Sequence, residues 1–214
     1  MSAPVEILRL LQVSDSAFPS GAFGFSGGLE ALAADDLVPG AEAVAAFLAH
    51  QVIPRFAGID RAFLERAHAA APDADALLAV DADCEAFVAV AEAGEASRRQ
   101  GLSILTTHGR IATPGIAPFA ERVRAGETAG HAAVVQGLVG HALGLSAETT
   151  ATAALYGAVQ SCLAASVRLG RVGALGAQSI LAELMEPMAE ALAGPTPSEP
   201  AAFVPLADVA LARH

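Results

Sequence analysis

Apolar residues recur at helical spacing along almost the whole chain. Ile7, Leu10 and Leu11 open the series, and Leu29, Leu32 and Ala33 follow after a glycine-rich interval, with Ser26 in the position of an N-cap. Val44, Phe47, Leu48 and Val52 form a stripe expected to stop before Pro54, because proline lacks an N–H and its ring collides with the preceding turn. Ile59, Phe63 and Ala67 make another. Asp73 is placed to cap a helix with the face Leu77, Val80, Cys84, Phe87, Val88 and Ala91, which the Asp81/Asp83 pair is a candidate to break. Leu102 and Leu105 mark the next stripe, and Ile116, Phe119, Ala120 and Val123 the one after it.

Val134, Val135, Leu138, Val139 and Ala142 form a helix that Gly144 can end. Ser146 then caps a long helix bearing Leu155, Val159, Cys162, Leu163 and Val167. The last long stripe is Ala177, Leu181, Leu184, Met185, Met188 and Leu192; Pro187 should bend it and Gly194-Pro195 should end it. Few segments alternate Val, Ile and Thr as a sheet requires. The pattern predicts an all-α fold: a single multi-helix domain of about nine or ten helices at 1–194. Residues 195–214 read as a Pro-rich linker and docking tail, PPII-like or disordered, with prolines at 195, 197, 200 and 205.

Composition narrows the function. The chain has 214 residues, enough to bury a core without disulfides or metals. Lys plus Arg number 12 against 23 Asp plus Glu, for a net charge of −11. An acidic surface repels phosphate backbones and anionic lipid, so nucleic acid is not expected as a partner and a basic protein surface is. Solubility alone is the other reading of that charge. Cys84 and Cys162 stand far apart on apolar faces and read as buried thiols. Residues 128–147 and 149–167 each approach a bilayer-spanning length, but His131, Gln136, His141, Gln160 and Ser161 interrupt them; buried helices of a bundle fit better than a membrane hairpin. Glu6 and Arg9 lie in the first apolar stretch, which lacks the pattern of a secretory signal, so a cytoplasmic location is expected.

Candidate chemistry is sparse. The glycines at 21, 24, 27 and 28 lack the following lysine of a P-loop. The histidines at 50, 68, 108, 131, 141 and 214 form no metal-binding motif, and His131 and His141 lie roughly 280° apart round a helix. No cofactor or metal is expected, although His214 leaves a weak nickel or zinc contact open. Asp35, Asp36, Asp81 and Asp83 read as solvated helix ends. Gly24-Phe25-Ser26-Gly27-Gly28 matches G-x-S-x-G, and Ser26, Asp208 and His214 keep the chain order of a hydrolase triad; a serine hydrolase is therefore the alternative function. No buried strand precedes Ser26, and a helix cap with a tight glycine turn is the favoured reading of it.

The segment Leu10–Glu30 is distinctive: four glycines and three phenylalanines, Phe18, Phe23 and Phe25, share one loop. Phenylalanine needs an apolar cover, so the loop either folds onto its own core or meets a partner. The segment resembles the N-terminal region of the UreF-type urease accessory proteins. Three further motifs are similar to that family: Ser97-Arg98-Arg99-Gln100-Gly101 to S-R-x-x-G; His131-Ala132-Ala133-Val134-Val135-Gln136-Gly137 to H-x-P-V-x-x-G, with Ala133 in place of proline; and Arg168-Leu169-Gly170 onward to Gln178 to an Arg-Leu-Gly…Gln junction. Pro205-Leu206-Ala207-Asp208-Val209 is similar to its P-x-x-D-I stretch.

The resemblance implies a non-enzymatic, all-helical, commonly dimeric maturation factor. Such proteins join UreD (also called UreH) and the GTPase UreG in delivering nickel to apo-urease, and couple to the GTPase as an adaptor or checkpoint. Phe18, Phe23 and Phe25 are then candidate anchors, with ordinary core packing as the other reading. Arg98, Arg168, Arg171 and Gln178 are candidate polar contacts. Stabilisation of a helix C-terminus serves equally for Arg168 and Arg171. On the tail, Phe203, Val204 and Leu206 are candidate anchors that would order on UreD.

Overall fold

The apolar stripes fold as helices wherever their spacing is regular. In the computed structural model, which describes residues 3–21 and 27–212, these are α1 (Ala3–Ser14), α2 (Leu29–Ala34), α3 (residues 41–70), α4 (Ala74–Phe87), α5 (Ala91–Arg110), α6 (Ala117–Arg124), α7 (Ala132–Ala142), α8 (Ala147–Arg168), α9 (Ala174–Ala193) and α10 (Pro205–Ala212). The described residues hold ten helices and no strand, as the periodicity predicts. Two caps act as expected. Asp73 accepts from the N–H of Asp75 and Ala76, and Ser146 from that of Thr149. Gly144, at φ +69°, closes α7 in a backbone conformation that L side chains avoid. No helix among the described residues is long and apolar enough to cross a membrane. The uncharged stretch 128–147 yields only the short α7, the most buried helix of the fold.

Helix α3 departs from the sequence expectation. It does not stop before Pro54 but runs as α-helix (Ala41–Phe47), π-helix (Leu48–Val52), α-helix (Ile53–Arg55), π-helix (Phe56–Asp60) and α-helix (Arg61–Ala70). A proline inside a helix removes one hydrogen bond and crowds the carbonyl a turn earlier. The wider π turn before Pro54 relieves that crowding, and burial of Phe47, Leu48, Ile53, Phe56 and Phe63 holds the helix together across it. Nor do Asp81 and Asp83 divide α4, which is continuous. Helix α9 continues through Pro187.

The second π stretch positions the tail. The Gly58 carbonyl accepts the N–H of Ala201 at 2.9 Å. A Cβ on Gly58 would lie 2.1 Å from the Ala201 carbonyl oxygen, so only glycine admits this approach. Further along, Thr196 donates to Glu65, Ala207 N–H to Gln51 Oε1, and Arg55 pairs with Asp208 at 3.2 Å. The Pro-rich stretch expected as a linker is thus a strap laid along α3. Beyond it, α10 packs against α2, α3 and α5, burying Ala207, Ala210 and Leu211.

Glycine also sets the central crossing. At α7 on α3, a Cβ on Gly137 would stand 2.2 Å from the Leu64 carbonyl oxygen and 2.9 Å from the His68 nitrogen. Gly137→Ala should therefore lower stability by about 1–3 kcal/mol, as overpacking does in a filled core. Gly157, inside α8 with nothing within 4 Å of a built Cβ, is the contrasting case. Gly157→Ala should gain up to ~1 kcal/mol from helix propensity. Urea denaturation of both variants checks the pair; equal effects would refute the close-approach account.

Candidate functional site

The amide N–H groups that open a helix need acceptors, and α7 does not supply its own: His131, at its N-cap, makes no side-chain cap. Two neighbouring helices provide them. Asp81 of α4, with 0% exposure, accepts the Thr128 hydroxyl at 2.5 Å, the Gly130 N–H at 2.7 Å and the His131 N–H at 2.9 Å. Ser97 Oγ of α5 accepts the Ala132 N–H at 3.1 Å. Asp81 is therefore not the solvated helix end the sequence suggested. It lies four residues after Leu77 and three before Cys84, on the apolar face of α4, and that position was the legible signal.

The buried His131 ring joins the same cluster. Its Nε2 lies 2.6 Å from Glu85 Oε2 and its Nδ1 3.2 Å from Ser97 Oγ. A carboxylate only accepts, which puts the proton on Nε2; Nδ1 then accepts from the Ser97 hydroxyl. Arg98 donates from Nη1 to both Glu85 oxygens, at 3.0 and 2.9 Å. One turn on, Gly101 meets Gly130, whose carbonyl oxygen would lie 2.0 Å from a Cβ there. The two motifs 97–101 and 131–137, far apart in sequence, thus meet in one junction. Burial pushes the Glu85 carboxyl up, but hydrogen bonds from His131 and Arg98, with the charge of Arg98, outweigh it and hold the group below its ordinary value. Ser97, His131 and Glu85 align superficially like a hydrolase triad. The Ser97 hydroxyl, however, is engaged on both sides, donating to the ring and accepting from the helix. The arrangement is a clamp.

A second clamp ties the end of α8 to α2. Arg168 reaches Glu30, and Arg171 bonds Asp36 Oδ1 at 2.9 Å and the Ala33 carbonyl at 2.5 Å. Arg171 thereby stabilises the C-terminus of α2, a neighbouring helix. Gln178 is exposed; with Arg168 and Val167 it lines a groove of about 420 Å³ between α8 and α9.

Phe18, half-buried, sets its ring 5.2 Å from that of His108. Both line a cavity of about 660 Å³ that also meets Asp60, Cys84, His131 and Cys162. Burial pushes the Asp60 carboxyl up, against the opposing pull of Arg55. It raises the Cys84 thiol, helped by the charges of Asp60, Asp81 and Glu85, and takes Cys162 up to about 12, so both thiols stay protonated. Phe23 and Phe25 lie outside the described residues, as do Ser26 and His214 of the hydrolase alternative; its third member, Asp208, is paired with Arg55. On the tail, Phe203 is 89% exposed and Leu206 41%, whereas Val204 is 1% exposed and packs into the chain's own core. Among the described residues no three His, Cys, Asp or Glu side chains gather as a metal site.

A family model described as UreF matches residues 38–185. Urease accessory protein UreF 1 of Brucella melitensis biotype 1 is 31% identical over 214 residues, which span 97% of this chain and 88% of that protein. Urease accessory protein UreF of Lachnoclostridium phytofermentans is 26% identical over 86% of this chain and 82% of its own length. Its namesake in Yersinia pseudotuberculosis serotype IB is 28% identical over 98% and 94%.

Asp81→Ala should strand three donors at the start of α7 and cost roughly 2–5 kcal/mol, with Asp81→Asn intermediate because an amide satisfies only some of them. Chemical denaturation measures both, and a wild-type midpoint for Asp81→Ala would refute the capping role. His108 gives a pH signature. Burial lowers its pKa from 6.5 to about 4, so the fold keeps the neutral ring. This contribution is complete above the unfolded value and is lost as pH falls through the folded one. His108→Gln should flatten the decline in melting temperature between about pH 6.5 and pH 4; an unchanged slope would contradict the assignment.

Proposed function

We infer the function from one premise: the chain belongs to the UreF family of urease accessory proteins. That family supports a role in urease maturation. Within it, we propose that the protein is a non-enzymatic adaptor that joins UreD (UreH) and the GTPase UreG in the cytoplasm, works as a homodimer, and supports nickel insertion into apo-urease. The sequence holds no G-x-x-x-x-G-K-[ST] pattern, which leaves P-loop chemistry to the partner GTPase. An adaptor needs apolar anchors offered from a firm base.

The observation that carries this reading is on the tail. Phe203, Leu206 and Val209 are exposed, while Val204, Ala207, Ala210 and Leu211, on intervening positions, are buried. One side of the segment is fixed to the core and the other presents apolar side chains to solvent. Arg168 and Gln178, beside the groove between α8 and α9, are a second candidate contact, and Phe18, Phe23 and Phe25 remain candidate anchors of the N-terminal loop.

Phe203→Asp combined with Val209→Asp should leave the melting temperature within about 2 °C of wild type, since exposed substitutions rarely change stability. The same double variant should reduce co-purification with a UreD homologue at least tenfold and slow urease activation. Val204→Asp should instead unfold the tail and lower the melting temperature. Undiminished co-purification of the double variant would remove the tail from the interface. Failure of the wild-type chain to associate with UreD or UreG homologues, or ester turnover by the isolated chain, would overturn the adaptor reading.

A further inference from the structure

Because α7 lies so close to α3 at Gly137, the last turns of the two helices end side by side. This brings together two histidines separated by 73 positions, His68 of α3 and His141 of α7. Their ring centroids are 5.3 Å apart and the planes stand at 71°. His68 is half-buried and its Nε2 lies 2.9 Å from the Leu145 carbonyl oxygen. A carbonyl only accepts, so Nε2 carries the proton and Nδ1 is left with its lone pair. That is how a protein prepares a metal-binding imidazole: a fixed acceptor on one nitrogen sets the tautomer and presents the other. The acceptor is itself held in place. The Leu145 N–H returns to the Gly140 carbonyl at 2.9 Å, and Arg9 binds the neighbouring Leu143 carbonyl at 2.6 Å. His141 is exposed on the final turn of its helix.

We propose that His68 and His141 form a two-imidazole site for a borderline divalent transition-metal ion of the nickel, zinc or copper(II) class. Imidazole suits these ions, and hard cations such as magnesium and calcium are excluded by the ligand type. Two imidazoles bound at about 2.0–2.1 Å to one ion in tetrahedral arrangement hold their ring centres roughly 5 Å apart. The observed separation of 5.3 Å matches. No third protein ligand stands nearby among the described residues, so water completes the coordination. Such a site exchanges its ion readily, unlike a closed structural centre. The site rests on this geometry and not on the maturation role.

Tag-free full-length chain should be titrated with nickel(II) and, separately, zinc(II) by calorimetry. Wild type should bind with micromolar affinity. His141→Ala should weaken the binding at least tenfold while leaving the melting temperature unchanged, and the exposed His50→Ala should bind as wild type does. Long-range proton–nitrogen NMR of the zinc-loaded chain should show the His68 Nδ1 resonance shifting while Nε2 keeps its proton. Equal affinity in wild type and His141→Ala would overturn the site. So would unmoved His68 and His141 resonances at millimolar metal, or coordination through His68 Nε2.

Discussion

Asp81 has no exposed surface in a bundle whose interior is mostly apolar, and a carboxylate there must be compensated. Its compensation is the start of α7. The backbone donors of Gly130 and His131 and the hydroxyl of Thr128 converge on it, giving the charge three hydrogen bonds and giving the helix the acceptor it lacks. Each side supplies what the other needs. Helix α7 is the most buried element, and the helices around it take their positions from it. The constraint on Asp81 therefore propagates: fixing the first turn of α7 sets where Gly137 meets α3 and where His131 meets Glu85 and Ser97. Position 133, in the first turn of α7, is alanine and not the proline that would preset a helix start. The side-chain acceptors from α4 and α5 give that helix start a fixed place without it.

The same logic of mutual completion recurs at the tail. Pro54 disturbs the hydrogen-bond ladder of α3, and two π-helical stretches flank it. In the second, Gly58 has both a carbonyl oriented outward and no side chain in front of it, and Ala201 occupies that opening. Gln51, in the first stretch, receives the N–H of Ala207. The irregularities of α3 are thus where the C-terminal segment is attached. π-bulges persist in proteins where the local cost is offset by a specific use, and seating the strap is such a use.

Periodicity made the helices legible. Ser146, Asp73 and Gly144 marked boundaries because each acts locally, through an N-cap or a left-handed turn. The residues that escaped act across the fold. Pro54 signals a terminator because its local effect is disruptive, but burial of Phe47, Leu48 and Phe56 outweighs it. Asp81 looked like a helix end because its partners are 47 to 50 positions away. Of the tail residues, Phe203 and Val204 are adjacent and both apolar, yet one faces solvent and the other the core. Only the path of the strap along α3 separates them. Arg98, Arg168 and Arg171, expected as polar contacts for a partner, all engage carboxylates of their own chain, which their sequence motifs do not reveal.

These internal pairs also decide what the surface can offer. Every cation among the 12 Lys plus Arg is an arginine, and Arg55, Arg61, Arg66, Arg98, Arg99, Arg122, Arg168 and Arg171 all form ion pairs within the chain. Exposed ion pairs contribute little to stability, but they neutralise positive charge where it arises. The net charge of −11 is therefore expressed outward by carboxylates. Around it stand exposed apolar groups such as Phe203, Leu175 and Leu8. An acidic field speeds encounter with a basic protein surface over many ångströms, whereas apolar anchors act only at contact. A partner that matches this molecule has an apolar recess rimmed by positive charge. The burial of the tail's other face means that the backbone carrying Phe203, Leu206 and Val209 is already ordered on folding.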